Sequence, residues 1–301
     1  YEIAYRLVGS EMCIRDRTFP ALQQYLSRLH AAPQADSSLW LDPQGRAHGR
    51  YFNSTLTSAF QPIRTPESGG IVGVQGFMRS YSRNDTGLSI WKLLDTGATD
   101  EQSIELDRLC RLLHAVNFYR QPEMVDYDLY LSVHARLLAA VDSNHGMSFR
   151  RVLDVLGLPY RKIVLQLPLI QPLVQPNQAW LLNYVADNYR RNGFRLAVNA
   201  AHARQGLDLL EQVHPDVIKV DVREITDEAA TLDLLKVAAE KNVKLVFKRV
   251  ESSQIYDKLR RLGAQAQQTI LAQGYLWDQP KASFAQDTSE PEAIATAGLE
   301  S

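Results

Sequence analysis

The chain has 301 residues, 45% hydrophobic and 22% charged, enough for one large domain or two ordinary ones with a substantial core, and too apolar for global disorder. With 33 Lys and Arg against 34 Asp and Glu, the net charge of -1 excludes a general nucleic-acid or membrane-surface binder, so any basic site must be local. The two cysteines, Cys13 and Cys110, exclude a disulfide framework and a cysteine-rich zinc site and fit a cytoplasmic protein, and no apolar run reaches the ~18 residues of a membrane span.

The first 17 residues, including "YRLVGSEMCIRDR", resemble translated adapter sequence and are set aside from the fold. Residues 18–50 read as a lead-in or the remnant of an upstream element: a short helix, "ALQQYLSRLH", then two short strands around an Asp42-Pro43-Gln44-Gly45 turn. From residue 51 the chain alternates. "SAFQPIRT" and "GIVGVQGF" form a hairpin across Pro66–Gly70. A helix capped by Thr99 or Asp100 follows, with Ile104, Leu109, Leu112, Leu113 and Val116 on one face and Cys110 as a buried structural thiol. Strand and helix then alternate through "DLYLSVH", "SFRRVLDVLGL", "KIVLQL" and "PNQAWLLNYVADNYRRN", the last closed by Gly193. The series continues through "FRLAVN", "QGLDLLEQV", "DVIKVDV", "TDEAATLDLLKVAAEKN", "VKLVFKRV", "SSQIYDKLRRLG" and a final strand, "TILAQGYLW". The tail, residues 281–301, lacks a sustained apolar face and is expected to be disordered.

Nearly continuous apolar strands alternating with helices are the pattern of a parallel sheet covered by helices. Seven or eight such units in residues 51–280 predict an α/β fold, a TIM-like (β/α)8 barrel, whose first strand is antiparallel because a tight turn joins it to the second. The C-terminal strand ends, where function gathers in a barrel, carry Gln75, His134, Gln166, Asn199 with Ala200, Lys219, Lys248 and Gln273. Amides dominate and only the lysines are charged. Magnesium and manganese select anionic oxygen ligands, and these positions offer none.

Several stretches resemble the motifs of the EAL domain, the cyclic-di-GMP phosphodiesterase family, in collinear order over residues 50–280. "FQPI" (Phe60–Ile63) resembles its opening strand, and "GVQGFMR" (Gly73–Arg79) stands where the Glu-Ala-Leu-x-Arg motif belongs. "LSVHARLL", "VLQLPL", "GFRLAVNAAHA", "PDVIKVD", "VFKRVESSQ" and "LAQGYLWDQP" resemble the later motifs. A longer stretch between Gly263 and Gln273 than the family carries implies a small insertion before the last strand.

The resemblance implies a barrel with an antiparallel first strand, two bound divalent cations and hydrolysis of cyclic di-GMP. It also implies that the catalytic set is dismantled in this chain. The metal-binding Glu of the name motif becomes Gln75, the metal-binding Asn becomes His134, and the next Glu becomes Gln166. The acidic pair becomes Asn199 and Ala200, and the general base becomes Lys248. Gln61, Arg79, Lys219, Asp221, Glu251, Gln273 and Pro280 are retained. An ammonium ~5 Å from a dication at an effective dielectric of about 20 costs on the order of 6 kcal/mol. The expectation is therefore a chain that is not an enzyme and holds no metal or other cofactor.

The remaining basic residues admit binding of an anion without metal, cyclic di-GMP being the candidate ligand, with contacts from Gln61, Arg79, Lys219, Gln273 and Trp277. Structural roles compete: Lys219 paired with Asp221 or Glu251, and Trp277 as ordinary packing. A zinc site from His134, His202 and Gln166 is disfavoured, since no third strong ligand accompanies the histidines. The alternative function is a nucleotide-independent protein-interaction scaffold, with Tyr184, Tyr189 and the arginines of "LLNYVADNYRR" exposed as anchors. No nucleophile–base pair stands at the strand ends to suggest other chemistry.

Overall fold

The computed structural model describes residues 19–31, 38–82, 99–135, 146–169, 176–223 and 225–284. Ten strands make one sheet: β1 (Leu39–Leu41), β2 (Ala47–Tyr51), β3 (Ser54–Thr65), β4 (Gly70–Ser82), β5 (Asp128–Ser132), β6 (Ile163–Leu167), β7 (Arg195–Ala200), β8 (Val217–Asp221), β9 (Lys244–Lys248) and β10 (Leu271–Gln273). The helices are α1 (Pro20–Ala31), α2 (Asp100–Tyr119), α3 (Met147–Val155), α4 (Pro176–Arg191), α5 (Ala203–Gln212), α6 (Glu228–Glu240) and α7 (Ser253–Ala266). Strands β4 to β10 pair in parallel, in chain order. β3 closes them into an eight-stranded barrel, antiparallel to both β4 and β10. The expected TIM-like barrel with an antiparallel first strand is the fold observed.

The helix caps follow local chemistry. Thr99 and Gln102 form a reciprocal capping box on α2, and Asp227 and Ser252 cap α6 and α7. His202 caps α5, its Nδ1 accepting from the Gln205 N–H at 3.3 Å. The face of α2 turned to the core holds Leu106, Cys110, Leu113 and Val116, whereas Ile104, Leu109 and Leu112 are only partly covered. Burial pushes the Cys110 thiol well above its ordinary value, as befits an inert structural group.

Residues 20–31 and 38–51 pack onto the barrel. β1 and β2 extend the sheet outward from β3, Leu22 of α1 is fully buried, and Ala47 and Tyr51 join the main core. At the other end, two expectations are corrected. α7 runs past Gly263, where the sequence reading ends the helix, to Ala266, and is closed by Gln267 in the left-handed conformation. Lys281 to Phe284 are ordered against the barrel: Lys281 bridges Phe60 in antiparallel fashion, and Phe284 packs on the core. The segments 1–17 and 285–301 lie outside the described residues.

Candidate functional site at the barrel mouth

Side chains alternate in and out along a strand, and here the inward positions form two stacked layers. Ile63, Tyr130, Val164, Ala197, Val217 and Val246 make an apolar inner cluster, with Leu271 against it. Gly73 supplies the β4 place in that layer; a Cβ there would lie 2.7 Å from the Tyr130 ring, so the aromatic occupies its space. Two residues along each strand, on the mouth side, stand Gln61, Gln75, Ser132, Gln166, Asn199, Lys219, Lys248 and Gln273. The mouth is thus floored by one polar residue from each of eight strands, without a carboxylate.

Lys219 is the centre of this layer and only 1% exposed. From β8 its ammonium reaches across the barrel to the amide oxygen of Gln75 on β4 and to that of Gln273, 2.8 Å away on β10. It also lies 5.5 Å from the Tyr130 ring centroid, a cation–π contact. The alternative pairing with Asp221 or Glu251 does not form. Asp221 instead faces Arg223 at 3.2 Å and Arg249 at 3.5 Å. Gln273 passes its amide N–H to Gln61 at 2.9 Å, and Gln61 donates to the Asp278 carbonyl at 2.7 Å. Gln75 also donates to the Ser132 hydroxyl at 3.3 Å.

A second group adjoins the first. Lys248 donates to Asn199 Oδ1 at 3.0 Å, Gln166 donates to the same oxygen at 3.2 Å, and Asn199 donates to the Leu167 carbonyl at 2.9 Å. Gln166 Oε1 is buried with no hydrogen-bond partner among the described residues. Burial, reinforced by Lys248 nearby, holds Lys219 well below its ordinary value. Burial also lowers Lys248, with Arg249 and Arg223 adding to the effect and Asp221 opposing it. Arg249, just past β9, has a φ of 63°, a left-handed conformation that costs a non-glycine residue of order 1 kcal/mol or more.

A strap, residues 274–281, follows β10. Gly274 permits its course, because a Cβ there would lie 2.0 Å from the Val250 carbonyl oxygen. Asp278 holds Arg64 of β3 through two hydrogen bonds of 2.5 and 2.9 Å. Arg79 gives one N–H to the Pro280 carbonyl at 2.8 Å.

The expected site residues do not all share one place. Gln61, Gln75, Gln166, Asn199, Lys219, Lys248 and Gln273 share the floor. His134 lies beyond the end of β5, its backbone N–H held by Asp107 at 3.0 Å, and Ser132, missed in the sequence, takes the floor position two residues after Tyr130. Ala200 is fully buried in the outer core, because it follows Asn199 and points to the opposite face. Trp277 packs edge-on against Tyr256, ring centroids 5.1 Å apart, which favours its packing role. Tyr189, expected on the surface, is completely buried, and Tyr184 is partly covered against the core; Arg190 is tied to Asp187, Val213 and His214. Among the described residues, no three His, Cys, Asp or Glu side chains gather as a metal site, and no helix is long and apolar enough to cross a membrane.

Fold and site define a parallel barrel with one reversed strand and a polar, locally basic mouth. The family profile of the EAL domain matches residues 50–280, and the chain belongs to that family. No curated protein is matched by sequence. Among solved structures, the chain is similar to Klebsiella pneumoniae BlrP1 in a manganese and cyclic-di-GMP complex, at 21% identity and a TM-score of 0.62, covering 75% of this chain and 56% of that one. The same protein with FMN and cyclic di-GMP but no metal ions gives 20% identity and a TM-score of 0.56, over 75% and 53% of the chains. Bacillus subtilis YkuI, an EAL-domain protein in complex with cyclic di-GMP and calcium, gives 18% and 0.58, over 76% and 56%. The chain therefore spans little more than half the length of these proteins.

Proposed function

We propose that this chain is a catalytically inactive EAL domain acting in cyclic-di-GMP signalling as a metal-independent receptor for the nucleotide. Family membership supports the signalling context. The observation that carries the receptor reading is the floor of the mouth, where two ammonium groups stand among amides and a hydroxyl with no carboxylate. A divalent cation requires anionic oxygen there; a phosphodiester, which brings its own charge, does not. The similar BlrP1 structure that contains cyclic di-GMP and no metal ions supports separating nucleotide binding from metal binding.

The second reading, a nucleotide-independent interaction scaffold, is favoured by the closure of Gln61, Gln273 and Lys219 upon one another. On that reading these hydrogen bonds rigidify a barrel whose outer surface does the binding. Isothermal titration with cyclic di-GMP, once with magnesium and once with EDTA, separates the two. Micromolar affinity indifferent to metal supports the receptor. Absence of heat at millimolar nucleotide overturns it and leaves the scaffold.

A further inference from the structure

We infer that the sheet formed by β1, β2 and the ends of β3 and β4 that pair with them, on the face turned away from α2, binds a short single strand of nucleic acid. Which side chains share that face follows from strand alternation and register. Gly49 turns toward α2, where a Cβ would lie 3.0 Å from Leu113, and Tyr51 donates to the Gln102 carbonyl of α2 at 2.8 Å. His48 and Arg50, which alternate with them, therefore point the other way. Trp40 pairs with His48 in register, and Arg50, Thr55 and Tyr81 form one row across β2, β3 and β4. The family profile begins at residue 50, so Trp40 and His48 extend this face beyond the residues the profile matches.

The face is aromatic, cationic and open. Tyr81 is 49% exposed, Phe52 at the β2–β3 turn is 60% exposed, and Arg50 is exposed beside them. Trp40 is partly exposed, its ring stacked with His48 at an angle of 18° and 5.8 Å between centroids, and the Arg50 guanidinium lies 5.6 Å from the Trp40 centroid. Strands β1 to β4 contain three arginines and no carboxylate. Asp42, in the turn between β1 and β2, is engaged by Arg46 at 2.6 Å and His48 at 3.1 Å, so its charge does not oppose an anion on the sheet.

That combination selects the ligand. Flat aromatic faces stack on bases whatever their identity, and an arginine among them meets the phosphates. A second copy of the chain would bring arginine against arginine. An acidic peptide would satisfy Arg50 but leave the rings without stacking partners. Trp40 and Tyr81 stand three strands and two residues apart, about 16 Å, more than one base covers, so the spacing calls for a strand of several nucleotides. The site is separate from the floor of the mouth: Tyr81 is six residues beyond Gln75 on β4, about 20 Å along the strand. A surface this local agrees with a net charge of -1 for the whole chain.

The test is fluorescence anisotropy of a labelled octanucleotide, single-stranded RNA and DNA in turn, titrated with the full chain at low salt. Saturable binding of the single strand is expected, weakening as salt rises, with the matching duplex and guanosine monophosphate weaker. Tyr81→Ala, an exposed substitution, is expected to weaken the strand about tenfold. Arg50→Ala is expected to weaken it and to flatten the salt dependence. Absence of binding, equal binding of the duplex or the mononucleotide, or undiminished binding in both variants overturns the inference. So does an equal affinity for polyglutamate, which would mark an acidic-peptide surface. Cyclic-di-GMP titration of Tyr81→Ala is expected to match the parent chain, so failure of the strand site and failure of the nucleotide receptor are read separately.

Discussion

Lys219 on β8 and Gln273 on β10 meet 2.8 Å apart inside the barrel, a cation held by neutral amides where an ion pair would ordinarily be found. Buried ammonium groups are costly unless compensated, and amide oxygens compensate less than a carboxylate does. Lys219 is accordingly held well below its ordinary value of 10.5, by burial first and by Lys248 second.

Between that lowered value and 10.5 the unfolded chain binds more protons than the folded one, so the residue's contribution to stability grows as pH rises. The unfolding free energy of the parent chain, measured relative to Lys219→Met, is expected to increase from about pH 7 to about pH 10. Urea denaturation at the two pH values reads it; a difference that stays flat or falls refutes the assignment.

His114 of α2 is fully enclosed against β3, 2.9 Å from the Ser58 hydroxyl, and burial lowers it from 6.5 to about 3. Its neutral form contributes stability that is complete above 6.5 and is lost progressively as pH falls toward 3. The loss on going from about pH 7.5 to about pH 5 is expected to be on the order of 2 kcal/mol. His114→Gln should lack that component in paired urea melts.

Asp107 and Arg111 form an ion pair one turn apart on α2, both almost wholly buried, and Arg111 also lies over the Phe149 ring. Asp107→Asn leaves the guanidinium uncompensated, and breaking a buried pair in this way costs about 3–5 kcal/mol. It also weakens the grip on the His134 backbone. A chemical-denaturation midpoint unchanged from the parent would contradict this.

Cyclic di-GMP incubated with the chain and manganese or magnesium is expected to remain intact on chromatography. Lys248→Glu alone should not change that. A positioned base is worth roughly 10²–10⁴ in rate, but Gln75, Gln166 and Asn199 would still offer no anionic ligand to a metal. Appearance of the linear dinucleotide in either sample would overturn the proposed inactivity.

The barrel was legible because apolar strand runs and helical stripes alternate without long interruptions. Six of the eight floor residues were also legible, since strand ends are marked by where the apolar run stops; Gln61, inside the reversed strand β3, was reached only through the family resemblance. Ser132 was missed for His134 because "LYLSVH" offers no break; counting two residues on from Tyr130 would have found it. Tyr189 was misread although Leu182, Val185 and Ala186 stand at helical spacing from it, a stripe that places it inward. The contacts of Lys219 were not legible at all. Its partners come from β4 and β10, which only closure of the barrel brings opposite β8.

That closure rests on little backbone. β10 meets β3 in register only at Ala272 and Arg64, and the junction is completed by the Arg64–Asp278 pair and the bridge between Phe60 and Lys281. These contacts join residues more than two hundred positions apart, and loop closure of that span must precede any reward from them. The junction is therefore the expected last step of folding and the first place to part under denaturant. Backbone amides of Leu271–Gln273 should exchange with solvent sooner than those of β6 and β7, which are flanked by parallel neighbours on both sides.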